Sequence, residues 1–207
     1  MGNLIFDFDG TLADTFPLVV DITYDITHAP RLRPEKIERL RAVPLLEAVR
    51  GLGGKPWDIP FLILLTRRAM RPRMGEVRAF RGIPAAIQAL HAAGHRMFVL
   101  SSNRERNVWA FLTQHGLEDY FEDVQHCSVF RKGSAIKKMV RIKRLAFKDT
   151  YYIGNEAADI EAARGTGVRG AVAVAWSGQD AQALAAAEPF KLVYQPTELL
   201  VLFENKE

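Results

Sequence analysis

The sequence predicts an α/β fold, a Rossmann-like doubly wound parallel sheet with an inserted helical domain. Three observations predict it. Short apolar runs recur along the chain and are near-continuous rather than alternating, as expected of strands covered on both faces. Amphipathic helical patterns lie between them, and strands alternating with helices build parallel βαβ units. From about Thr15 to Ala79 this rhythm stops and only helical patterns remain.

Leu4-Ile5-Phe6 is the first strand. In the insertion, Leu18, Val19, Ile22 and Ile26 keep a helical period, Val43 to Leu52 reads as a helix, and Leu62, Leu65 and Ala69 mark another. Phe61-Leu62-Ile63-Leu64-Leu65 is apolar on every side. Burial within the insertion is the expected reading, and a contact between two copies is the alternative. Ile83, Ile87 and Leu90 then form an amphipathic helix, with Pro84 near its start and Gly94 as its stop. Met97-Phe98-Val99-Leu100 is the next strand. Val108, Phe111, Leu112 and His115 repeat the helical period as far as Gly116, and Ile136, Met139 and Val140 mark a further helix. Tyr151-Tyr152-Ile153, Ala171-Val172-Ala173-Val174 and Leu192-Val193-Tyr194 complete the strands. The expected division is a discontinuous core of residues 1–14 and 80–207 around a helical segment, 15–79.

The chain has 207 residues, 48% hydrophobic and 25% charged, enough to bury a sizeable core. A formal net charge of +4 and a pI near 9.3 suit anionic small molecules. No helix-turn-helix or zinc-ligand spacing accompanies that charge, so no specific nucleic-acid partner is expected. Cys127 is the only cysteine, which excludes an intramolecular disulfide and fits a cytoplasmic protein. No apolar run reaches the ~20 residues that cross a membrane. The first apolar run is broken by Asp7 and Asp9, unlike a secretory leader. A monomer and a homodimer are both compatible with the sequence.

Four constellations at strand ends carry the chemistry, because ligands of a doubly wound sheet bind beyond the carboxyl ends of its strands. In Asp7-Phe8-Asp9-Gly10-Thr11, two carboxylates spaced by one residue face the same side of extended chain. Their repulsion favours a bound cation or a raised pKa on one of them. An ionised carboxylate can attack phosphorus, and a protonated one can serve the leaving alcohol. Gly10 would let the backbone turn close to a phosphate. Ser101-Ser102-Asn103 follows a strand and precedes a helix, and reads either as a plain N-cap or as a phosphate cradle. Lys132 could hold the nucleophile ionised, whereas Lys137, Lys138, Arg141, Lys143 and Arg144 nearby read as solvated. In Gly154-Asn155-Glu156-Ala157-Ala158-Asp159, residues four apart on a helix would let Asn155 and Asp159 address one cation. Oxygen-only ligands suit Mg²⁺.

Together these residues resemble the haloacid dehalogenase superfamily of phosphatases across essentially the whole core. Asp7-Phe8-Asp9-Gly10-Thr11-Leu12 is similar to the first motif of that family, Ser101 to the second, Lys132 to the third, and Gly154 to Asp159 to the fourth. The insertion sits where the family carries a helical cap. Asp159-Ile160-Glu161-Ala162-Ala163-Arg164 and Gln195-Pro196-Thr197-Glu198-Leu199-Leu200 resemble the phosphoglycolate-phosphatase-like branch. The resemblance implies hydrolysis of a small phosphorylated metabolite, a phosphoglycolate-like monoester, through an aspartyl phosphate. Asp7 would be nucleophile and metal ligand. Asp9 would be general acid/base and would ligate Mg²⁺ through its main-chain carbonyl. Ser101 would bind the phosphoryl group and Lys132 would steady it. Gly10, Thr11, Ser102 and Asn103 would line the substrate, and Asn155 and Asp159 would complete the metal site.

The fourth motif of the family has Asp where this chain has Asn155. Asn keeps an oxygen ligand and loses a charge, so metal affinity should fall, with Glu156 or Asp159 as candidates to compensate. A degenerate, non-catalytic binding protein is therefore the alternative. A phosphomutase would share the first chemical step. True dehalogenation needs no second acid, and Asp9 argues against it. The five histidines show no metal-ligand spacing. Arg67, Arg68, Arg71, Arg73 and Arg78 read as a solvated basic face, or as the source of one arginine that meets an anionic substrate group.

Overall fold

In the computed structural model, residues 1–54 and 59–204 are described. Strand β1 (Asn3–Phe6) leads to a two-residue strand, β2 (Ala13–Asp14). Helices α1 (Phe16–Thr27), α2 (Pro34–Arg41), α3 (Leu45–Gly51) and α4 (Ile59–Met70) follow, then strand β3 (Arg78–Ala79). From there the chain alternates through α5 (Ile83–Ala92), β4 (Arg96–Ser101), α6 (Glu105–Gln114), β5 (Asp123–His126), α7 (Lys132–Ile142) and β6 (Thr150–Gly154). It ends with α8 (Ala157–Arg164), β7 (Gly170–Val174), α9 (Ala181–Ala186), β8 (Lys191–Val193) and α10 (Thr197–Glu204).

Six strands form one parallel sheet in the order β5-β4-β1-β6-β7-β8. Ile5 of the central β1 lies between Phe98 of β4 and Tyr152 of β6. The chain runs outward from β1 to β4 and β5, then returns to β6 on the other side. That reversal makes the carboxyl end of β1 a topological switch point, where such sheets bind ligands.

Side-chain alternation along the strands divides the core between the two faces. Leu4, Phe6, Met97, Val99, Tyr151 and Ile153 pack with Ile83, Ile87 and Leu90 of α5 and with Val108, Phe111 and Leu112 of α6. Ile5, Phe98, Leu100 and Tyr152 pack against Ile136, Met139 and Val140 of α7 and Ile160 of α8. Covering both faces is why these strands read as unbroken apolar runs.

The helical insertion leaves and returns through an antiparallel neck in which Ala13 pairs Ala79 and Asp14 pairs Arg78. Leu18, Val19 and Ile22 of α1 join Met70, Met74 and Val77 in the main core. Val20, Tyr24 and Leu52 form a small second core on the far side. The insertion is thus both self-packed and seated on the body that carries the sheet.

Three expectations need correction. Strand β5 is not signalled by any apolar run, since only Val124 in it is buried. It is an edge strand, paired on one side to β4, and its outer residues can stay polar. The insertion contains a strand after all, Arg78–Ala79, too short to leave a periodic signal. The run Phe61-Leu62-Ile63-Leu64-Leu65 is not buried throughout: Leu62 is buried, while Phe61 is 61% exposed and Leu64 51%. A helix turns successive side chains by about 100°, so one packed face leaves the other outside. Among the described residues no helix is long and apolar enough to cross a membrane.

Candidate active site

The site is built where β1, β4 and β6 end. Asp7 follows β1 directly, and its main-chain N–H still bonds to the Ile153 carbonyl of β6 at 2.8 Å. The turn beyond it is tight: the N–H groups of Thr11, Leu12 and Ala13 all point at the Phe8 carbonyl. Gly10 sits in this turn with φ +77°. A Cβ there would also collide with the Asn155 side-chain amide. Gly10→Ala should therefore cost about 1–2 kcal/mol from backbone strain alone and push Asn155 out of place. Thermal melting checks the first effect and Mg²⁺ dependence of activity checks the second.

Lys132, at the start of α7, is 4% exposed and reaches back to the strand ends. Its Nζ lies 2.8 Å from Asp7 Oδ2 and 3.0 Å from Asp159 Oδ2. Burial opposes its charge, but Asp159 and Asp7 more than offset that and hold the ammonium well above its ordinary pKa. Asp159 also accepts a hydrogen bond from the Tyr152 hydroxyl at 3.1 Å. Its own pKa is raised, chiefly by burial, despite the facing Lys132. The other Asp7 oxygen accepts the Phe8 N–H at 2.7 Å. A fixed cation and a fixed donor thus hold both Asp7 oxygens in one orientation.

Asp9 is pinned from the β4 end. Asn103 Nδ2 donates to its two oxygens at 3.1 and 3.3 Å. Burial raises the Asp9 pKa, with Thr15 and Arg67 acting in the opposite direction. A carboxyl kept protonated above the usual carboxylate range is what a general acid requires. Asn103 is itself held: its Oδ1 accepts from the Arg104 N–H at 2.8 Å and from Asn107 Nδ2 at 2.9 Å. Asn103→Ala frees Asp9, and if Asp9 serves as the general acid that the sequence leads one to expect, kcat should fall roughly 10- to 100-fold with Tm little changed. Steady-state kinetics beside a melting curve separates the two.

The remaining sequence candidates fall into place unevenly. Ser101 is buried and its Oγ accepts the Asn103 N–H at 2.9 Å. Helix α6 starts only at Glu105, with Arg104 as its N-cap, so Ser101 ends β4 and Ser102-Asn103 form a loop before the helix rather than its cap. The Asn103 amide is turned to Asp9, and Ser102 Oγ accepts from Arg67 Nη2 at 2.6 Å. Both side chains are engaged with other residues of the protein, and Asn103 also lines the cleft beside Asp9. Thr11 is fully buried, and its hydroxyl donates to Asn155 Oδ1 at 3.2 Å.

Asn155 and Asp159 do not share a helix face. Helix α8 begins at Ala157 with Glu156 as its N-cap, which leaves Asn155 on the loop. Asn155 turns toward Thr11 and Gly10, while Asp159 turns to Lys132 and Tyr152.

Among the described residues, no three His, Cys, Asp or Glu side chains gather as a metal-binding group. The oxygens available are of a different kind: the Asp7 carboxylate, the main chain of the first turn, and the Asn155 amide. Lys132 lies between Asp7 and Asp159. A hard cation that takes few protein oxygens and keeps its waters fits this oxygen set.

Several contributors were not legible in the sequence. Arg67 is the one arginine of its group that reaches the site. Arg73 is bound to Asp21 and Glu76 at 2.8 Å each, and Arg68, Arg71 and Arg78 are exposed. Asn107 and Tyr152 carry no motif, and Ser177 lines a cleft between the insertion and the strand ends. Cys127 is buried, and burial pushes its thiol up to about 11, which excludes it as a nucleophile at neutral pH.

Comparison with known proteins agrees with this geometry. The profile described as haloacid dehalogenase-like hydrolase matches residues 4–173. A phosphoglycolate phosphatase of Synechococcus elongatus is 34% identical over 206 residues, covering 97% of this chain and 96% of that protein. The pyrophosphatase PpaX of Bacillus velezensis is 24% identical, covering 95% and 94%. A haloacid dehalogenase-like hydrolase from Streptococcus pneumoniae superposes with a TM-score of 0.82 at 19% identity, over 98% of each chain.

Proposed function

Because this chain belongs to the haloacid dehalogenase-like hydrolase family, we propose that it is a Mg²⁺-dependent phosphatase acting on a small phosphorylated metabolite, phosphoglycolate or an ester like it. The observation that carries the reading is the buried contact of Lys132 with Asp7 at 2.8 Å. An aspartate whose two oxygens are held by a cation and an amide is fixed in one orientation, as a nucleophile must be.

In the proposed reaction an Asp7 carboxylate oxygen attacks phosphorus through a remaining lone pair, and the bond from phosphorus to the leaving oxygen breaks. Asp9, held by Asn103, gives its proton to that oxygen, so the product leaves as an alcohol. The same Asp9 then takes a proton from water as the water attacks the phosphorus of the Asp7 acyl phosphate. Inorganic phosphate leaves and Asp7 is restored. Lys132 holds Asp7 in position for attack and Asp159 keeps Lys132 in place. Ser101 stands at the β4 end to meet the phosphoryl oxygens. Mg²⁺, held by Asp7, the Asp9 main-chain carbonyl and Asn155, would supply positive charge against the phosphoryl group.

Residues 15–79 act in this reading as a cap over the strand ends. The cleft between them, about 80 Å³, is lined by Thr15, Val19, Ile63 and Arg67 on one side and by Asp9, Asn103 and Asn155 on the other. Such a space suits a leaving group of few atoms and keeps bulk water from the acyl phosphate. A cytoplasmic setting is part of the same proposal, supported by the single free, buried thiol.

The second reading, a non-catalytic relative that binds without turnover, draws on Asn155. Phosphate release from a panel of phosphorylated metabolites, with Mg²⁺ and with a chelator, decides between them. Mg²⁺-dependent release from at least one monoester is expected. No release from any ester at any Mg²⁺ concentration contradicts the proposal and favours the second reading.

A further inference from the structure

Asn107 of α6 is buried, and its amide joins segments far apart in the chain. Its Nδ2 donates to Asn103 Oδ1 at 2.9 Å and to the Arg67 main-chain carbonyl at 2.9 Å. Asn103 stands on the loop after β4, and Arg67 in the last turn of α4, on the insertion. Both partners are acceptors, so both N–H bonds of the amide are used and its orientation is forced. The Asn107 Oδ1 is buried and has no hydrogen-bond partner among the described residues. Turning the amide over would set that oxygen against two acceptors, so it stays unpaired at a cost in stability. A tie between α6 and α4 alone needs one donor, as a serine hydroxyl supplies. What the amide adds is a second N–H, and that one goes to Asn103.

The orientation is passed on. Asn103 Oδ1 takes the Arg104 N–H at 2.8 Å as well as Asn107 Nδ2, which fills both of its lone pairs. Asn103 Nδ2 is thereby turned to the Asp9 oxygens at 3.1 and 3.3 Å. Met70 Sδ, at the end of α4, lies 3.8 Å from the same nitrogen. Helix α4 thus meets this chain of amides twice, through the Arg67 carbonyl and the Met70 thioether.

We infer that Asn107 is a positioning residue for proton delivery: it aims the Asn103 amide, and through it Asp9, and takes its own place from the main chain of α4. This rests on the proposed reaction and deepens it with a residue that touches no reacting atom. Proton transfer to the leaving oxygen then depends on α4 being seated against the β4 loop. The aim of Asp9 matters where the leaving oxygen needs a proton, and little where it departs as a stable anion.

The test compares 2-phosphoglycolate, whose leaving alkoxide needs a proton, with acetyl phosphate, of similar size, whose acetate leaves as a stable anion. The quantity read is kcat/KM, which covers the steps up to the aspartyl phosphate. Asn107→Ala should lose about 10- to 100-fold on 2-phosphoglycolate and less than about threefold on acetyl phosphate. In an Asn103→Ala background the same substitution should cost nothing further on 2-phosphoglycolate. Asn107→Ser, which keeps one donor, should show the same pattern at smaller size, and it carries the comparison if melting curves find Asn107→Ala unfolded. Hydrogen exchange gives a reading apart from turnover: without the Asn107 amide, the Arg104 N–H and the amides of α4 should lose protection together. Equal losses on the two substrates, or a full further loss in the Asn103→Ala background, would overturn the inference. So would unchanged exchange at Arg104 or in α4. If wild type hydrolyses neither compound, the phosphatase reading fails on its own, and hydrogen exchange still judges Asn107.

Discussion

Asp7→Asn should lower kcat by about 10⁴-fold or more on any phosphomonoester the wild type hydrolyses, with the protein still folded. The substitution keeps size and shape, so the Phe8 N–H at 2.7 Å still has an oxygen to meet. It removes the negative charge that would attack phosphorus, and an amide oxygen does not replace it. No neighbour can stand in. Asp9 is turned to Asn103, and Asp159 is held by Lys132 and Tyr152. Phosphate release beside a melting curve reads both halves of the expectation. Turnover within tenfold of wild type would remove Asp7 from the chemistry.

Lys132→Met should be the most damaging single change to stability within the site. It leaves Asp7 and Asp159 buried together without the cation that lies 2.8 and 3.0 Å from them. Breaking a buried pair in this way costs about 3–5 kcal/mol, a fall in Tm on the order of 10 °C. The loss should depend on pH. Asp159 has a folded-state pKa above its ordinary value, so its ionisation works against the folded state as pH rises through that window. Without Lys132 this cost is larger. The deficit against wild type should therefore be greatest near neutral pH and shrink in acid, where Asp159 takes up its proton. Lys132 itself titrates well above its ordinary value, so in wild type its contribution persists to high pH. Urea denaturation at several pH values measures this. A deficit that does not change with pH would mean that the carboxylates are not what Lys132 stabilises.

The division between what the sequence revealed and what it hid follows from range. The buried strands were legible because covering both faces leaves a local apolar run, as in Tyr151-Tyr152-Ile153. Asp7 and Lys132 were legible because each sits at the edge of such an element. Strand β5 was not, because an edge strand can bury Val124 alone. Helix α2 buries none of its residues and so shows no strong apolar stripe. The tasks of the site residues depend on contacts between distant segments. Asn103 meets Asp9 across 94 positions, and Thr11 meets Asn155 across 144. Nothing local shows that these side chains orient other residues instead of facing a substrate. Arg67 was one of five arginines until the return of α4 to the β4 loop separated it from the rest.

Asn155 is the residue on which the account turns. Its oxygen is held by Thr11, and a neutral amide there should weaken Mg²⁺ binding without abolishing it. The direct measurement is phosphomonoester turnover against Mg²⁺ concentration for wild type and Asn155→Asp. Wild type should show turnover that saturates with Mg²⁺ and vanishes with a chelator. The variant should reach half-maximal rate at a lower Mg²⁺ concentration, because it restores a charge to the same position. No turnover in either protein at any Mg²⁺ concentration, or turnover in wild type that survives complete removal of the metal, would contradict a Mg²⁺-dependent phosphatase acting through Asp7.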